Sequence, residues 1–245
     1  MSQCRVVNVG TGGSRVVADS AGDRVSIGPN CRKEFSRIMR DHNIGEWLDD
    51  LASDSPAPGG GAAAAMNVAL GAALISMVCN LTIGKPKYAE HELLMADVLS
   101  KATELRAEAL RLAEADAAAF SGVMDAYGLP RGDDAQKAER SVAIQRALVA
   151  AADVPMRIGT IAADVIALAG RILDGANVNV LSDVAVAADS AGSALRSARI
   201  NVEINRASIK DEGLRAELAS RLEELASAEL TAGAIVDIVM NRIKK

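Results

Sequence analysis

The chain has 245 residues, half of them apolar but only 2% aromatic, with a formal net charge of −5 and a pI of about 5.2. An acidic chain without a long basic run argues against nucleic acid as a partner, and two histidines with three cysteines in no metal-site spacing argue against a resident metal. Alanine supplies much of the apolar content, which indicates closely packed helices in one large domain or two small ones.

Residues 1–41 differ from the rest of the chain in charge and in pattern. They hold seven basic residues against four acidic ones, and carry strand-like pieces at Arg5–Val9, Arg15–Val17 and Arg24–Ile27. We expect this segment to be an appendage, disordered or lying before the true start, and residues 42–245 to form the main domain. The first residues lack the apolar core of a secretion signal, so we expect a protein of the reducing cytoplasm.

From Ile44 the pattern becomes helical, first as a short amphipathic helix and then as an uncharged stretch from Ser55 to Gly84. Within that stretch, Ala62 to about Ile83 is predicted to be one helix, because alanine is the best helix former. Three glycines open it, allowing backbone angles closed to other residues and presenting free N–H groups at the positive end of a helix dipole. This predicts a site for an anion or a developing negative charge at Gly59, Gly60 and Gly61. A membrane span and a plain buried helix remain alternatives.

A long helix from about Glu90 to Tyr127 is predicted next. Its apolar residues recur every three or four positions and define one face, on which Asp116 stands between Leu112 and Phe120. A carboxylate in an apolar seam is costly unless something requires it. The pattern alone leaves two interpretations of Asp116 open, a structural hydrogen bond to a neighbouring helix and a catalytic group.

The remaining sequence predicts further helices and therefore an all-α fold. One runs from Asp134 to about Leu173 with a kink or restart at Pro155, and the last runs from Leu214 to the end with a break near Gly233. Between them, the helix from Asp183 to about Ile209 carries a stripe of small residues ending in Asn201 and Asn205. Such a stripe either lets another helix approach closely or forms the floor of a ligand groove.

These segments, taken in order, resemble the cyclodeaminase/cyclohydrolase family of tetrahydrofolate enzymes over residues 44 to 212. No single motif is decisive, but the ordered series is specific, and residues 1–41 match nothing in it. Met39 opens a segment that is a normal start for this family, so we expect residues 1–38 to be dispensable. The motifs that carry the resemblance are Ser55-Pro-Ala-Pro-Gly-Gly-Gly-Ala-Ala-Ala64, Met77-Val-Cys-Asn-Leu-Thr-Ile-Gly-Lys85, Asp116-Ala-Ala-Ala-Phe120, Ala126-Tyr-Gly-Leu-Pro130, Val154-Pro155, Asn177-x-Asn179-x-x-Ser182-Asp183 and Asn201-Val-x-Ile-Asn205.

The resemblance implies a homodimeric, multihelical antiparallel bundle around the Ala-rich helix, and a folate as the substrate. It implies hydrolysis of 5,10-methenyltetrahydrofolate to 10-formyltetrahydrofolate, with formimidoyltetrahydrofolate cyclodeaminase as the alternative and a non-catalytic folate-binding protein as a third reading. The chain has no room for a formiminotransferase domain, which favours the hydrolase. No metal or redox cofactor is expected.

Under the same resemblance, Asp116 is the catalytic group and Asp183 a second carboxylate or an orienting group. The glycine N–H groups are expected to bind the folate carboxylates or the developing oxyanion. Lys85 and Lys87 are placed for the glutamate tail, although a charged cap after the helix explains them equally well. The expected substrate-binding set is Gly59, Gly60, Gly61, Lys85, Lys87, Asn177, Asn179 and Asn201.

Overall fold

The computed structural model describes residues 43–244 and, before them, only three two-residue strands. The chain divides into two compact units, Met1–Asn43 and Ile44–Lys245. In the first unit, β1 (Arg5–Val6), β2 (Val17–Ala18) and β3 (Arg24–Val25) form an antiparallel sheet in that order, and each overlaps one of the predicted strand-like pieces. The predicted character of the rest of residues 1–41, including Met39 as a start, lies outside the described residues.

The second unit is all-α, which confirms the predicted fold class. Short 3-10 turns at Pro86–His91 and Val178–Val180 join two pairs of its helices. The α-helices are α1 (Ile44–Leu51), α2 (Gly60–Asn80), α3 (Glu92–Gly128), α4 (Asp134–Ile172), α5 (Leu181–Ser208) and α6 (Glu212–Ile243).

Helix α2 lies at the centre, packed against α3, α4 and α5. Consecutive helices from α2 to α6 run antiparallel, and α2 also runs antiparallel to α5. At Gly71 the packing is closest: a Cβ atom there would come within 3.0 Å of the Ala187 carbonyl oxygen on α5 and 3.3 Å of Val165 on α4. The small stripe of α5 therefore lets α2 approach closely, with Ala187 and Ala191 buried in the contact.

Among residues 43–244, α2 is the helix long and apolar enough to cross a membrane, and 61% of its most apolar window is buried inside the protein. Burial against three neighbouring helices is what a core helix requires, since a helix that is apolar on most sides must be covered. The structure therefore fits the buried-helix alternative.

The predicted restart at Pro155 is wrong, because α4 continues through this residue from Asp134 to Ile172, while the alternative of a kink stays a prediction. Proline has no N–H, so the carbonyl of Ala151, four residues earlier, loses its helical partner. In the structure, Asn205 Nδ2 of α5 donates to that carbonyl at 3.1 Å. A side chain from the neighbouring helix thus replaces the missing donor and keeps the helix in one piece.

The predicted break near Gly233 is also wrong, because α6 is continuous from Glu212 to Ile243. A single glycine inside a helix costs only about 1 kcal/mol relative to alanine. The flanking residues Ala232 and Ile235 are buried, so packing of α6 on the bundle outweighs that cost.

Candidate active site

Asp116 lies where the first turn of α2 meets α3. Its Oδ2 accepts a hydrogen bond of 3.0 Å from the backbone N–H of Ala62. A Cβ atom on Gly61 would overlap this carboxyl group, at 2.6 Å from Oδ2 and nearer still to Oδ1. Only glycine at position 61 lets the carboxylate approach the helix end this closely. The sequence predicts an anion at the start of α2. At the Ala62 N–H, this anion is the protein's own Asp116 carboxylate.

Burial raises the pKa of Asp116 above that of an ordinary aspartate, and the Ala62 N–H partly offsets this by lowering it. Removal from water disfavours the ionised form, whereas a hydrogen bond to the carboxylate favours it. A half-buried carboxylate with a raised pKa is a stronger proton acceptor than one in water. Its environment is the kind found at acid–base sites.

The three glycines do not use the unusual backbone angles that the sequence predicts. Gly59 is extended, with φ −135° and ψ −158°, and Gly60 and Gly61 lie in the helix. Among the described glycines only Gly84 has a positive φ, of 75°. Close approach, rather than backbone freedom, explains Gly61. Within residues 43–244, the N–H groups of Gly60 and Gly61 donate to no other group, and they point from the positive end of α2.

Asn201 joins this group from α5. A Cβ on Gly60 would lie 3.8 Å from both side-chain polar atoms of Asn201, so the two residues are neighbours. The Asn201 Nδ2 donates to the Ser197 carbonyl at 2.8 Å, and its Oδ1 has no donor among the described residues. The structure thus brings together four predicted site residues at the start of α2: Gly60, Gly61, Asp116 and Asn201.

Beyond Asp116, α3 carries an apolar surface that the sequence analysis did not assign to the site. The stripe of α3 is buried up to Leu112, where it packs on α2, but α2 begins at Gly60 and leaves the next turns uncovered. Phe120, Met124 and Tyr127 are consequently 40–52% exposed, one to three turns beyond Asp116. We call these three residues the apolar ledge. The signal that could have located it is the continuation of the stripe past the end of its partner helix.

The other predicted site residues lie at the opposite end of α2. Lys85 and Lys87 follow its C-terminus, and Asp183 stands in the first turn of α5. Helix α2 has 21 residues, so the two ends are about 30 Å apart at 1.5 Å per residue. Within one chain Asp183 lies far from Asp116, because α5 runs antiparallel to α2, and its role as a second carboxylate or an orienting group stays a prediction.

Asn177 forms hydrogen bonds that hold together the structure at the C-terminal end of α2. Its Nδ2 donates to the Leu81 carbonyl at 2.9 Å, its N–H donates to Thr82 Oγ1 at 3.0 Å, and its Oδ1 accepts from the Asn179 N–H and the Tyr88 hydroxyl. With a side chain 4% exposed, Asn177 fits a structural role better than the predicted substrate-binding one. Asn179 is exposed and stays a prediction.

The lysines project from the turn that this network fixes. Tyr88 accepts a hydrogen bond from the Val178 N–H at 3.1 Å, and the Lys87 ammonium lies 5.4 Å from the Tyr88 ring centre. Both lysines are exposed, and in residues 43–244 neither forms an ion pair with a carboxylate. They are therefore available to an anion from outside the chain.

Comparison with known proteins bears on this arrangement. Residues 43–224 match the formiminotransferase-cyclodeaminase family. The chain is 45% identical over 201 residues to the methenyltetrahydrofolate cyclohydrolase of Methylorubrum extorquens, covering 82% of this chain and 95% of that enzyme. It is 29% identical over 198 residues to the formimidoyltransferase-cyclodeaminase of Rattus norvegicus, spanning 81% of this chain and 37% of that one. The crystal structure of the formiminotetrahydrofolate cyclodeaminase of Thermotoga maritima matches with a TM-score of 0.76 at 29% identity, over 84% of this chain and 99% of that one.

Proposed function

Since the chain belongs to the formiminotransferase-cyclodeaminase family, we propose that it is a methenyltetrahydrofolate cyclohydrolase, which converts 5,10-methenyltetrahydrofolate and water into 10-formyltetrahydrofolate. The observation that carries acid–base chemistry at this site is the half-buried Asp116 carboxylate held at the start of α2, and the choice of the hydrolase depends on the relatives. The Methylorubrum extorquens relative, which is 45% identical and covered over 95% of its length, is named for this activity.

The substrate has a planar, positively charged amidinium carbon between N5 and N10. The ionised Asp116 stabilises that cation electrostatically and accepts a proton from the water molecule that adds to the carbon. The tetrahedral intermediate then releases N5, which takes up a proton as the bond to carbon breaks. The raised pKa of Asp116 suits both transfers, since a carboxyl group with a higher pKa accepts and returns a proton more readily at neutral pH.

Groups around Asp116 have separate roles in this proposal. The N–H groups of Gly60 and Gly61 face the oxygen that the added water leaves on the carbon, and the Asn201 Oδ1 accepts from an N–H or O–H of the substrate or the water. The apolar ledge supports the flat ring, because aromatic and thioether side chains pack well against planar rings. No metal or redox cofactor takes part, so we expect chelators to leave the activity unchanged.

Formimidoyltetrahydrofolate cyclodeaminase is the second candidate, favoured by the Thermotoga structure of that name. In that reaction N10 adds to the formimino carbon and ammonia leaves. Both reactions pass through a tetrahedral carbon between the same nitrogens, so Asp116 serves either one. The hydrolase stays first because the relative with that name is 45% identical, against 29% for the cyclodeaminases.

One absorbance experiment separates the candidates. Purified protein is given 5,10-methenyltetrahydrofolate and, separately, 5-formiminotetrahydrofolate, while the methenyl chromophore and ammonia are followed. Accelerated loss of the chromophore from the first substrate is expected. Appearance of the chromophore with ammonia from the second, without acceleration of the first, would assign the cyclodeaminase. Binding of either folate without turnover would assign a non-catalytic folate-binding protein.

The proposal includes a homodimer in the cytoplasm. Support for the dimer comes from α2, whose outer face is uncharged and open although the helix is central to the fold.

A further inference from the structure

The apolar ledge ends at a positively charged side chain that takes no part in the chemistry at Asp116. Arg140, near the start of α4, donates from Nε and Nη2 to the backbone carbonyl of Tyr127 at 3.2 and 2.9 Å. Its guanidinium carbon lies 5.6 Å from the centre of the Tyr127 ring, within the range of a cation–π contact. Since Tyr127 is the last residue of the ledge, these contacts place a positive charge at the end of the ledge that is farther from Asp116.

A structural role explains part of this geometry. The Tyr127 carbonyl is one of the last in α3, so the guanidinium caps the end of that helix. However, a guanidinium has five N–H donors, and the contacts to Tyr127 use only two of them. Among residues 43–244, Nη1 of Arg140 has no acceptor and no carboxylate forms an ion pair with this side chain. Asp134, at the start of α4, pairs with Lys137 instead.

The ledge connects this arginine to the carboxylate of the site. Asp116, Phe120 and Tyr127 are spaced by four and seven residues, which places them on one face of α3, and all three side chains are at least partly exposed. The eleven residues from Asp116 to Tyr127 span about 16 Å at 1.5 Å per residue. Because α2 begins at Gly60, these turns of α3 extend beyond it.

The proposed substrate carries its charges in the same order. The amidinium carbon is positive and the glutamate carboxylates are negative, with a flat benzoyl ring and an amide between them. By standard bond lengths, the amidinium carbon and the first carboxylate are on the order of 10 Å apart. A polar contact of about 3 Å at each end extends this to about the distance between Asp116 and Tyr127. The substrate therefore fits along the ledge with each charge beside its opposite.

We propose, on the basis of the proposed function, that Arg140 binds a carboxylate of the folate's first glutamate while the benzoyl ring lies on the apolar ledge. The free N–H groups of a planar guanidinium pair with a carboxylate in a fork, which a lysine ammonium cannot do. The contacts to Tyr127 hold the guanidinium in position before the substrate arrives, so less freedom is lost on binding. The reacting carbon then lies at Asp116 and the tail at Arg140 of the same chain.

A substrate without the glutamate tests the proposal. In 5,10-methenyltetrahydropteroylamide an amino group replaces the whole glutamate, which removes both carboxylates and keeps the reacting carbon. Arg140→Gln loses the charge but can still donate to the Tyr127 carbonyl. We expect its kcat/KM for 5,10-methenyltetrahydrofolate to fall by about tenfold, mainly through KM, whereas the value for the amide should change by less than about twofold. Arg146→Gln, at an exposed position on another face of α4, is the control and should affect neither substrate.

Two results would contradict this assignment. Equal losses on both substrates in Arg140→Gln would mean that the arginine only caps α3, since a disturbed ledge harms a substrate with or without a tail. The double variant Lys85→Gln/Lys87→Gln covers the other predicted tail site. If that variant loses the preference for the glutamate-bearing substrate and Arg140→Gln keeps it, the lysines bind the tail and the proposal is overturned.

Equilibrium binding separates failure of this proposal from failure of the proposed function. Calorimetry with 5-formyltetrahydrofolate and with 5-formyltetrahydropteroylamide requires no turnover. The wild type should bind the folate about tenfold more tightly than the amide, and Arg140→Gln should bind the two about equally. A preference retained in Arg140→Gln would refute the role of Arg140 even in an active hydrolase. A preference lost in a protein without turnover would support Arg140 and refute only the hydrolase, and no binding of either ligand to the wild type would refute both.

Discussion

At the scale of single residues, the contact between Asp116 and Ala62 links catalysis to stability. Asp116→Asn keeps the shape of the side chain and removes the base. We expect turnover to fall by about a hundredfold or more, the usual scale for losing a general acid–base group. In the wild type, kcat/KM should fall as the pH decreases through the raised pKa of Asp116, because only the ionised form accepts the proton. Near-normal turnover of the variant would indicate that Asp116 has a structural and not a catalytic role.

The same variant should unfold less readily at neutral pH. The folded-state pKa of Asp116 is raised, so its contribution to the free energy of unfolding is lost as the pH rises through that pKa. Asparagine never ionises and avoids this loss, while its Oδ1 can still accept from Ala62. Urea titrations should therefore show Asp116→Asn more stable than wild type at pH 7, with a difference that shrinks at acidic pH. A variant less stable than wild type at pH 7 would contradict this expectation.

Gly61 and Gly60 form a matched pair for testing the approach of α3 to α2. A Cβ at Gly61 overlaps the Asp116 carboxyl group, whereas a Cβ at Gly60 lies 3.8 Å from Asn201, an ordinary contact. Gly61→Ala should lower kcat by about a hundredfold, because a shift of the reacting group by about 1 Å has effects of that size. Gly60→Ala should keep most of the activity. Equal effects in a steady-state assay would mean that close approach is not the reason for glycine at position 61.

At the scale of elements, α4 depends on a donor from α5. Asn205→Ala leaves the buried Ala151 carbonyl without a partner, and we expect a loss of about 1–3 kcal/mol in the free energy of unfolding. Pro155→Ala supplies the missing backbone N–H. In that background the same Asn205→Ala change should cost clearly less, so the two changes form a double-mutant cycle measured by denaturant unfolding. Equal costs in both backgrounds would show that Asn205 does not substitute for the proline N–H.

The apolar ledge of α3 should act on substrate binding. Phe120→Ala removes the aromatic side chain nearest to Asp116 on the ledge, and we expect KM to rise by about tenfold, equivalent to 1.4 kcal/mol, with a smaller change in kcat. Leu93→Ala, at the other end of the same helix and 88% exposed, is the control and should leave both constants unchanged. A fall in kcat at unchanged KM would instead place Phe120 in the positioning of Asp116.

The sequence predicted each long helix because periodicity and alanine content are local properties. The sequence predicted a restart at Pro155 and a break near Gly233 that the structure does not have, because neighbouring helices decide both. Asn205 donates to the Ala151 carbonyl that Pro155 leaves without a partner, and packing around Gly233 outweighs the cost of a glycine in the helix. Asp116 could be found from the sequence because a carboxylate interrupts an apolar stripe. The separation of Asp183 from Asp116 could not, because it follows from the direction in which α5 runs against α2.

At the scale of the whole molecule, the uncharged and partly exposed face of α2, which includes Leu70 and Leu81, predicts self-association. Sedimentation velocity of the purified chain at micromolar concentration should give a dimer. Leu70→Glu, which places a charge in the middle of this face of α2, should shift the protein toward the monomer and lower the activity, while the control Leu93→Glu should do neither. A stable, fully active monomer of the wild-type chain would argue against the dimer.

Because the Ala62 N–H donates to Asp116, the backbone amide of Ala62 also reports the ionisation state of the Asp116 carboxyl group. When Asp116 takes up a proton, the acceptor at Oδ2 loses its negative charge and the bond weakens. The NMR chemical shift of the Ala62 amide proton should therefore follow the ionisation of Asp116 across a pH titration, in resting enzyme and without any substrate. In Asp116→Asn that titration should vanish, so a single resonance would report the protonation state from which each catalytic cycle begins.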